Sequence, residues 1–228
     1  MDFVGLDKLS LLDYEDKVSC VLFCKPCNFR CPFCHNGDLV LNSENYIPWE
    51  EITNYLKDRR RLIDAVVFSG GEPTLMPDLF EKIQEVKEMG FLVKLDTNGT
   101  NLDVLKKLVS NNLIDYIAMD VKNNLVKYDV TSGVKNVNKK KLVEAIEYIK
   151  TCGVDYEFRT TLVKEFHNDL DVEEFGKLVN GAKRLFLQKF VDREGCIKRG
   201  LHEVSERKAK QFLNALQKYV KEINLRGY

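Results

Sequence analysis

Short runs of β-branched and aromatic residues recur along the chain, each followed by a longer stretch whose apolar residues return every three or four positions. Six runs read as strands: residues 18–23, 65–68, 91–95, 114–119, 156–161 and 185–190. Between them the spacing predicts helices over residues 79–89, closed by Gly90, over 102–109, and over 139–152, where Leu142, Ile146 and Ile149 share a face and Gly153 supplies the stop. A last helix is expected over about 205–222, carrying Phe212, Leu216, Val220 and Ile223 at similar intervals. Residues 123–138 form the longest irregular stretch. This alternation predicts an α/β fold of six parallel strands with right-handed crossovers, in one domain spanning residues 1–228 with its core at about 13–190. Folds of this kind carry their chemistry on the loops after the strand C-termini.

The conspicuous polar residues fall at those strand ends. Strand one is followed by the run Cys27-Asn-Phe-Arg-Cys31-Pro-Phe-Cys34-His35, and strand two by Ser69-Gly70-Gly71-Glu72-Pro73. Asp96-Thr97-Asn98-Gly99 follows strand three, and Asp120 with Lys122 ends strand four. Glycines directly after a strand let the backbone approach a ligand closely or take positive φ.

Two cysteine triplets compete, because Cys20, Cys24 and Cys27 repeat the x3, x2 spacing of Cys27, Cys31 and Cys34. Cys20 and Cys24 lie in the apolar run Val-Ser-Cys-Val-Leu-Phe-Cys, and on a strand positions four apart are separated by roughly 13 Å. That is too far for ligands of one small cluster, so these two are assigned to packing. Cys27, Cys31 and Cys34 lie where Asn28, Arg30 and Pro32 favour a loop that wraps an object. Three thiolates from one run leave the fourth corner of a cubic iron-sulfur cluster without a protein ligand.

Composition narrows the field. The chain has 228 residues, 44% hydrophobic and 31% charged, which is ordinary for a globular protein. Lys plus Arg and Asp plus Glu each total 35, and no basic block stands out, so nucleic acid is not expected as a partner. The start Met-Asp-Phe-Val-Gly-Leu-Asp-Lys lacks the basic and apolar parts of a secretion signal, and no apolar run approaches membrane-spanning length. A cytoplasmic protein is expected, with seven cysteines better read as metal or redox chemistry than as a disulfide framework. Cys152 reads as a small buried hydrophobe, and His167 and His202 as solvated surface histidines.

The cysteine run followed by Gly70-Gly71-Glu72-Pro73 resembles the radical S-adenosylmethionine superfamily. More narrowly, Cys-Asn-Phe-Arg-Cys-Pro-Phe-Cys-His-Asn, Val-Val-Phe-Ser-Gly-Gly-Glu-Pro-Thr, Lys-Leu-Asp-Thr-Asn-Gly and Ala-Met-Asp-Val-Lys resemble the anaerobic ribonucleoside-triphosphate reductase activating proteins, relatives of pyruvate formate-lyase activating enzyme. The resemblance implies a partial (β/α)6 TIM-like barrel. It implies a 4Fe-4S cluster on Cys27, Cys31 and Cys34 whose open iron is chelated by S-adenosylmethionine. It implies reductive cleavage to a 5'-deoxyadenosyl radical that removes hydrogen from a glycine of a partner glycyl radical enzyme, with flavodoxin or ferredoxin as electron donor. By the same resemblance Phe33 lies against the adenine, His35 adds backbone contacts, and Gly70, Gly71 and Glu72 form the turn that meets the methionine ammonium. Asp96, Thr97 and Asp120 resemble a monovalent cation site beside the cofactor, and Lys122 the lysine that pairs with the methionine carboxylate. Arg159 is either a contact at the same mouth or a surface salt bridge.

The chain departs from the relatives in one place: where they often carry a histidine after strand six, it reads Leu187-Gln188-Lys189-Phe190. The terminal Arg226-Gly227-Tyr228 is similar to the surroundings of a radical-bearing glycine, although fraying is the ordinary expectation for a chain end. Two other readings stay open. One is a radical enzyme on a small molecule, similar to 7-carboxy-7-deazaguanine synthase, and the other is a non-catalytic zinc-binding module using the three cysteines and His35.

Overall fold

A computed structural model describes residues 3–42, 44–167 and 169–228, without the side chains of residues 169 and 170. The chain divides into two compact units, one of Met1–Asn28, Asp38–Thr97 and Asn101–Ile117, the other of Phe29–Gly37, Asn98–Thr100 and Ala118–Tyr228.

In the first unit β1 (Phe3–Ser10) runs antiparallel to β2 (Ser19–Cys24). After α1 (Gly37–Leu41) and α2 (Trp49–Arg59), β3 (Ala65–Gly70) pairs parallel with β2, and after α3 (Leu79–Glu88), β4 (Leu92–Thr97) pairs parallel with β3. Parallel strands are covered on both faces, which is why they read as continuous apolar runs. Val21, Leu22, Val67, Phe68, Val93 and Leu95 are buried, as are Leu79, Ile83 and Val86 of α3. The next helix, α4 (Leu102–Ser110), buries Leu105 and Leu108 and leads to β5 (Tyr116–Asp120). The strand β1 escapes the sequence pattern because Asp7, Lys8 and Leu9 are exposed along it, as suits an edge strand held by one neighbour.

The second unit carries the end of β5, α5 (Tyr128–Ser132), α6 (Lys139–Thr151), β6 (Asp155–Leu162), α7 (Asp169–Leu178), β7 (Arg184–Lys189), α8 (Glu206–Leu216) and β8 (Glu222–Arg226). The strands β6, β7 and β8 pair parallel in that order. The stretch expected to be irregular thus contains α5. The last helix, expected to about residue 222, stops at Leu216. Lys221 and Glu222 donate to the carbonyls of Ala182 and Lys183, and Ile223 sits opposite Leu185 in β8. Apolar spacing fits a helix there, but the open edge of β7 captures the backbone. The chain end is not frayed: Arg226 makes two hydrogen bonds to Glu157, at 3.1 and 3.2 Å, with its guanidinium 3.8 Å above the Phe186 ring.

The Glu157 side chain is only 2% exposed, and both of its oxygens accept from that guanidinium. Replacing Arg226 by Ala is expected to destabilise the protein by about 3 kcal/mol, the low end for a broken buried pair because Arg226 itself is partly exposed. Urea unfolding of the variant against the parent checks this, and a loss below roughly 0.5 kcal/mol, the level of an ordinary surface substitution, refutes it.

Candidate iron-sulfur and cofactor site

The first two cysteines of the competing triplet fall in β2. Cys20 and Cys24 are both within this strand and fully buried, and burial pushes each thiol up to about 12. They are core side chains. Cys27 leaves the strand in the first unit, while Cys31 and Cys34 belong to the second. No disulfide joins any of the seven cysteines.

Residues 29–37 have no helix or strand ladder of their own until the start of α1, so they are shaped from outside. The Arg30 amide donates to the Ser132 carbonyl at 2.8 Å, and the Lys198 amide to the Pro32 carbonyl at 2.8 Å. Gly133, at φ +71°, lies so close that a Cβ would stand 1.9 Å from the Arg30 carbonyl oxygen. Within the loop, the Cys34 amide donates to Cys31 at 2.9 Å. Rings lock the rest: Phe29 meets Tyr128 edge-on at 6.3 Å, Phe33 meets Phe166 at 5.9 Å, and His35 stacks on Phe190 at 5.6 Å. Phe33 is buried, whereas His35 is exposed.

In the first unit, Gly70 lies opposite Cys24 in the β2–β3 register at φ +97°. A Cβ there would come 2.5 Å from the Cys24 nitrogen, and one on Gly71 would come 2.5 Å from the Pro26 oxygen. The two glycines therefore let the turn seat on the segment just before Cys27, through the Gly71 amide to the Cys24 carbonyl and the Glu72 amide to the Pro26 carbonyl. The Glu72 side chain turns inward, where Oε1 accepts from the Thr74 amide, from Thr74 Oγ1 at 2.5 Å and from Thr97 Oγ1 at 2.7 Å. It ties the end of β3 to the end of β4. Asp96, also buried, accepts from Ser69 Oγ at 2.9 Å and lies 3.7 Å from Lys94 Nζ.

In the second unit, Asp120 sits between two cations. Its Oδ1 accepts from Arg159 Nε at 2.8 Å and its Oδ2 from Lys122 Nζ at 3.0 Å. Burial opposes the charge on Asp120, but Arg159 and then Lys122 outweigh it and hold the carboxyl well below the usual carboxylate range. Burial likewise works against the Lys122 ammonium, and is overcome by Asp120 and by Cys31, which keep it protonated far above neutral pH. The same ammonium partly offsets the burial that raises the Cys34 thiol. Arg159, expected either at the mouth or on the surface, is thus a partner of Asp120.

Two participants escaped the sequence pattern. His167 is buried rather than solvated, with Nδ1 at 3.0 Å from the Val163 oxygen and Nε2 at 3.3 Å from the Lys122 carbonyl. Tyr128 is fully buried with its hydroxyl 3.5 Å from the Lys122 amide, inside the stretch read as irregular. Neither carries a local motif. His202 is exposed as expected, 2.6 Å from Glu165. Gln188 lies in β7 opposite Arg226.

Among the described residues no three His, Cys, Asp or Glu side chains gather closely enough to hold a single metal ion. A cubic cluster makes a different demand, since each thiolate binds a different iron and the sulfurs need not meet at a point. A thiol-only donor set on a loop held by external backbone contacts fits that demand, and thiolates are the ligands such clusters take.

The Radical SAM superfamily profile matches residues 21–179, and the chain belongs to that superfamily. A Methanocaldococcus jannaschii protein that bears the provisional name of glycyl-radical enzyme activating enzyme is 38% identical over 190 residues, covering 82% of this chain and 78% of its own. A second protein of the same name and organism is 29% identical over 185 residues, covering 77% of this chain and 66% of its own. Among solved structures, a domain of pyruvate-formate lyase-activating enzyme from Bacteroides vulgatus matches with TM-score 0.58 at 17% identity, covering 72% of this chain and 99% of that one. The fold class is the expected one, α/β with a radical SAM core of the partial (β/α)6 barrel type, and the family implies a 4Fe-4S cluster and S-adenosylmethionine. Among the described residues no helix is long and apolar enough to cross a membrane.

Two outcomes are expected. Folded, cluster-free protein treated with iodoacetamide at pH 8 should leave Cys20 and Cys24 unmodified while Cys27 reacts, as read by peptide mass mapping; equal labelling of all three refutes the assignment of the β2 thiols to the core. Gly133→Ala should cost about 2 kcal/mol through backbone strain and displacement of Arg30, with a parallel fall in iron and sulfide bound after anaerobic reconstitution. Full cluster content at parental stability would show that this close approach does not shape the loop.

Proposed function

We propose that the protein is the activating enzyme of a glycyl radical partner. The observation that supports this narrower reading is the 38% identity, over 82% of the chain, to a relative provisionally named for that activity. When bound, the cluster and S-adenosylmethionine supply a 5'-deoxyadenosyl radical by one-electron cleavage of a sulfonium carbon-sulfur bond. In this reading Cys27, Cys31 and Cys34 hold the cluster. Phe33 offers a buried ring for the adenine, with His35 contributing backbone, and the Gly70-Gly71-Glu72 turn presents carbonyls to the methionine ammonium. Lys122 keeps its proton and pairs with the methionine carboxylate, a charge-assisted contact suited to a partly dry site. Asp96 stands at the end of β4 beside Ser69, on the side where the cofactor turn begins.

No side chain is assigned a proton transfer. The abstracting group would belong to the cofactor, so the chain's own residues would orient and shield rather than act as acid or base. The substrate is then a backbone glycine of a large partner. Anaerobic ribonucleoside-triphosphate reductase is the partner favoured by the sequence motifs, with flavodoxin or ferredoxin as reductant and the cytoplasm as the setting.

Anaerobically reconstituted protein, reduced in the presence of S-adenosylmethionine, should form 5'-deoxyadenosine and raise a glycyl electron spin resonance signal in a co-incubated anaerobic ribonucleotide reductase. Cys31→Ala should lower both by at least about a thousandfold, the scale of losing an essential catalytic group. Cofactor cleavage without any glycyl signal, but with turnover of a deazapurine precursor, would move the protein to the small-molecule class. Colourless protein with stoichiometric zinc and no cleavage would leave only a binding module.

A further inference from the structure

Of Asp96, Thr97 and Asp120, the residues expected to hold a monovalent cation, Asp120 does not fit that role. Both carboxylate oxygens already face a protein cation, Arg159 at 2.8 Å on one side and Lys122 at 3.0 Å on the other. The three side chains together leave one positive charge in excess, so a further cation at this carboxylate would meet repulsion from two sides. The arrangement is also built rather than incidental. Arg159 and Lys122 side chains are 12% and 16% exposed, too enclosed for a mobile surface pair. The backbone fixes the geometry: the Val121 amide donates to the Arg159 carbonyl at 2.9 Å, and Thr160 Oγ1 donates to the Val121 carbonyl at 2.7 Å. The strand end that carries Asp120 is thereby registered against the strand that carries Arg159. His167 Nε2, 3.3 Å from the Lys122 carbonyl, holds the third member from the other side.

We infer that the guanidinium of Arg159 takes the place of a monovalent metal cation at Asp120, and that through Asp120 it positions the Lys122 ammonium for the cofactor carboxylate. Arg159 is a positioning residue here, acting through the carboxylate it holds. A planar guanidinium can hold one carboxylate oxygen while leaving the other to Lys122, and it cannot lose its charge. A bound alkali ion would exchange with the medium. The inference rests on the radical S-adenosylmethionine reading of the site and is independent of which partner is activated.

The test compares anaerobically reconstituted holoprotein in potassium, sodium and choline chloride at equal ionic strength, without any partner enzyme. Two quantities are read: the equilibrium dissociation constant for S-adenosylmethionine, and the rate of 5'-deoxyadenosine formation under reductant. For the unaltered protein both should agree within twofold across the three salts. Arg159→Met should weaken cofactor binding at least tenfold in choline at unchanged iron content, with part of that loss recovered in potassium. Arg159→Lys should stay within threefold of the parent. A saturable requirement of the unaltered protein for potassium or sodium overturns the inference, and this arm needs no variant to fold. Parental binding by a well-folded Arg159→Met overturns it too. Absence of binding in every salt at full cluster content would remove the radical reading itself and the inference with it.

Discussion

A loop without secondary structure of its own must find partners for its backbone groups elsewhere, and the segment from Phe29 to Gly37 meets that demand with carbonyls and amides borrowed from distant parts of the chain. Ser132 receives the amide of Arg30, and Pro32 receives that of Lys198. The contact with Gly133 tolerates no side chain at all. Two cysteines ride on this loop, so the spacing of the sulfurs is set by residues a hundred or more positions away in sequence.

A common device recurs at the strand ends of both units. An acidic side chain that could have been spent on a ligand is used to hold two chain segments together: Glu72 gathers Thr74 and Thr97, and Asp120 gathers Arg159 and Lys122. A buried carboxylate such as that of Glu72 is costly unless its oxygens find donors, and the partly exposed Asp120 is held by two cations. Their satisfaction from inside the chain leaves the backbone turns and the lysine ammonium as the groups presented outward. Preorganisation of that sort suits chemistry in which the protein orients a reactive cofactor and moves no protons.

Much of this was legible in the chain itself. Covered parallel strands write themselves as runs rich in apolar, aromatic and β-branched residues, and so β2, β3, β4, β5, β6 and β7 fall where the runs are. The placing of Cys20 and Cys24 in the core needed only the reading of their run as a strand. What stayed hidden was held by long-range pairing. The strand β1 is half solvated, β8 is imposed on a helical-looking sequence by the edge of β7, and α5 is too short to show a period. His167 and Tyr128 look like loop residues because nothing nearby in sequence announces that Lys122 needs support from both sides. The ion trio failed to show for the same reason, since 39 positions separate Asp120 from Arg159.

The capture of residues 222–226 by β7 has a bearing on handling the protein. Were that segment cut away, β7 would present a bare row of amides and carbonyls along Arg184 to Lys189, and Glu157 would lose its guanidinium partner in the same stroke. Exposed rows of this kind recruit strands from other molecules. Residues 222–226 thus cover β7 and pair Glu157 with one short segment, so versions shortened before Glu222 would be expected to lose stability through both.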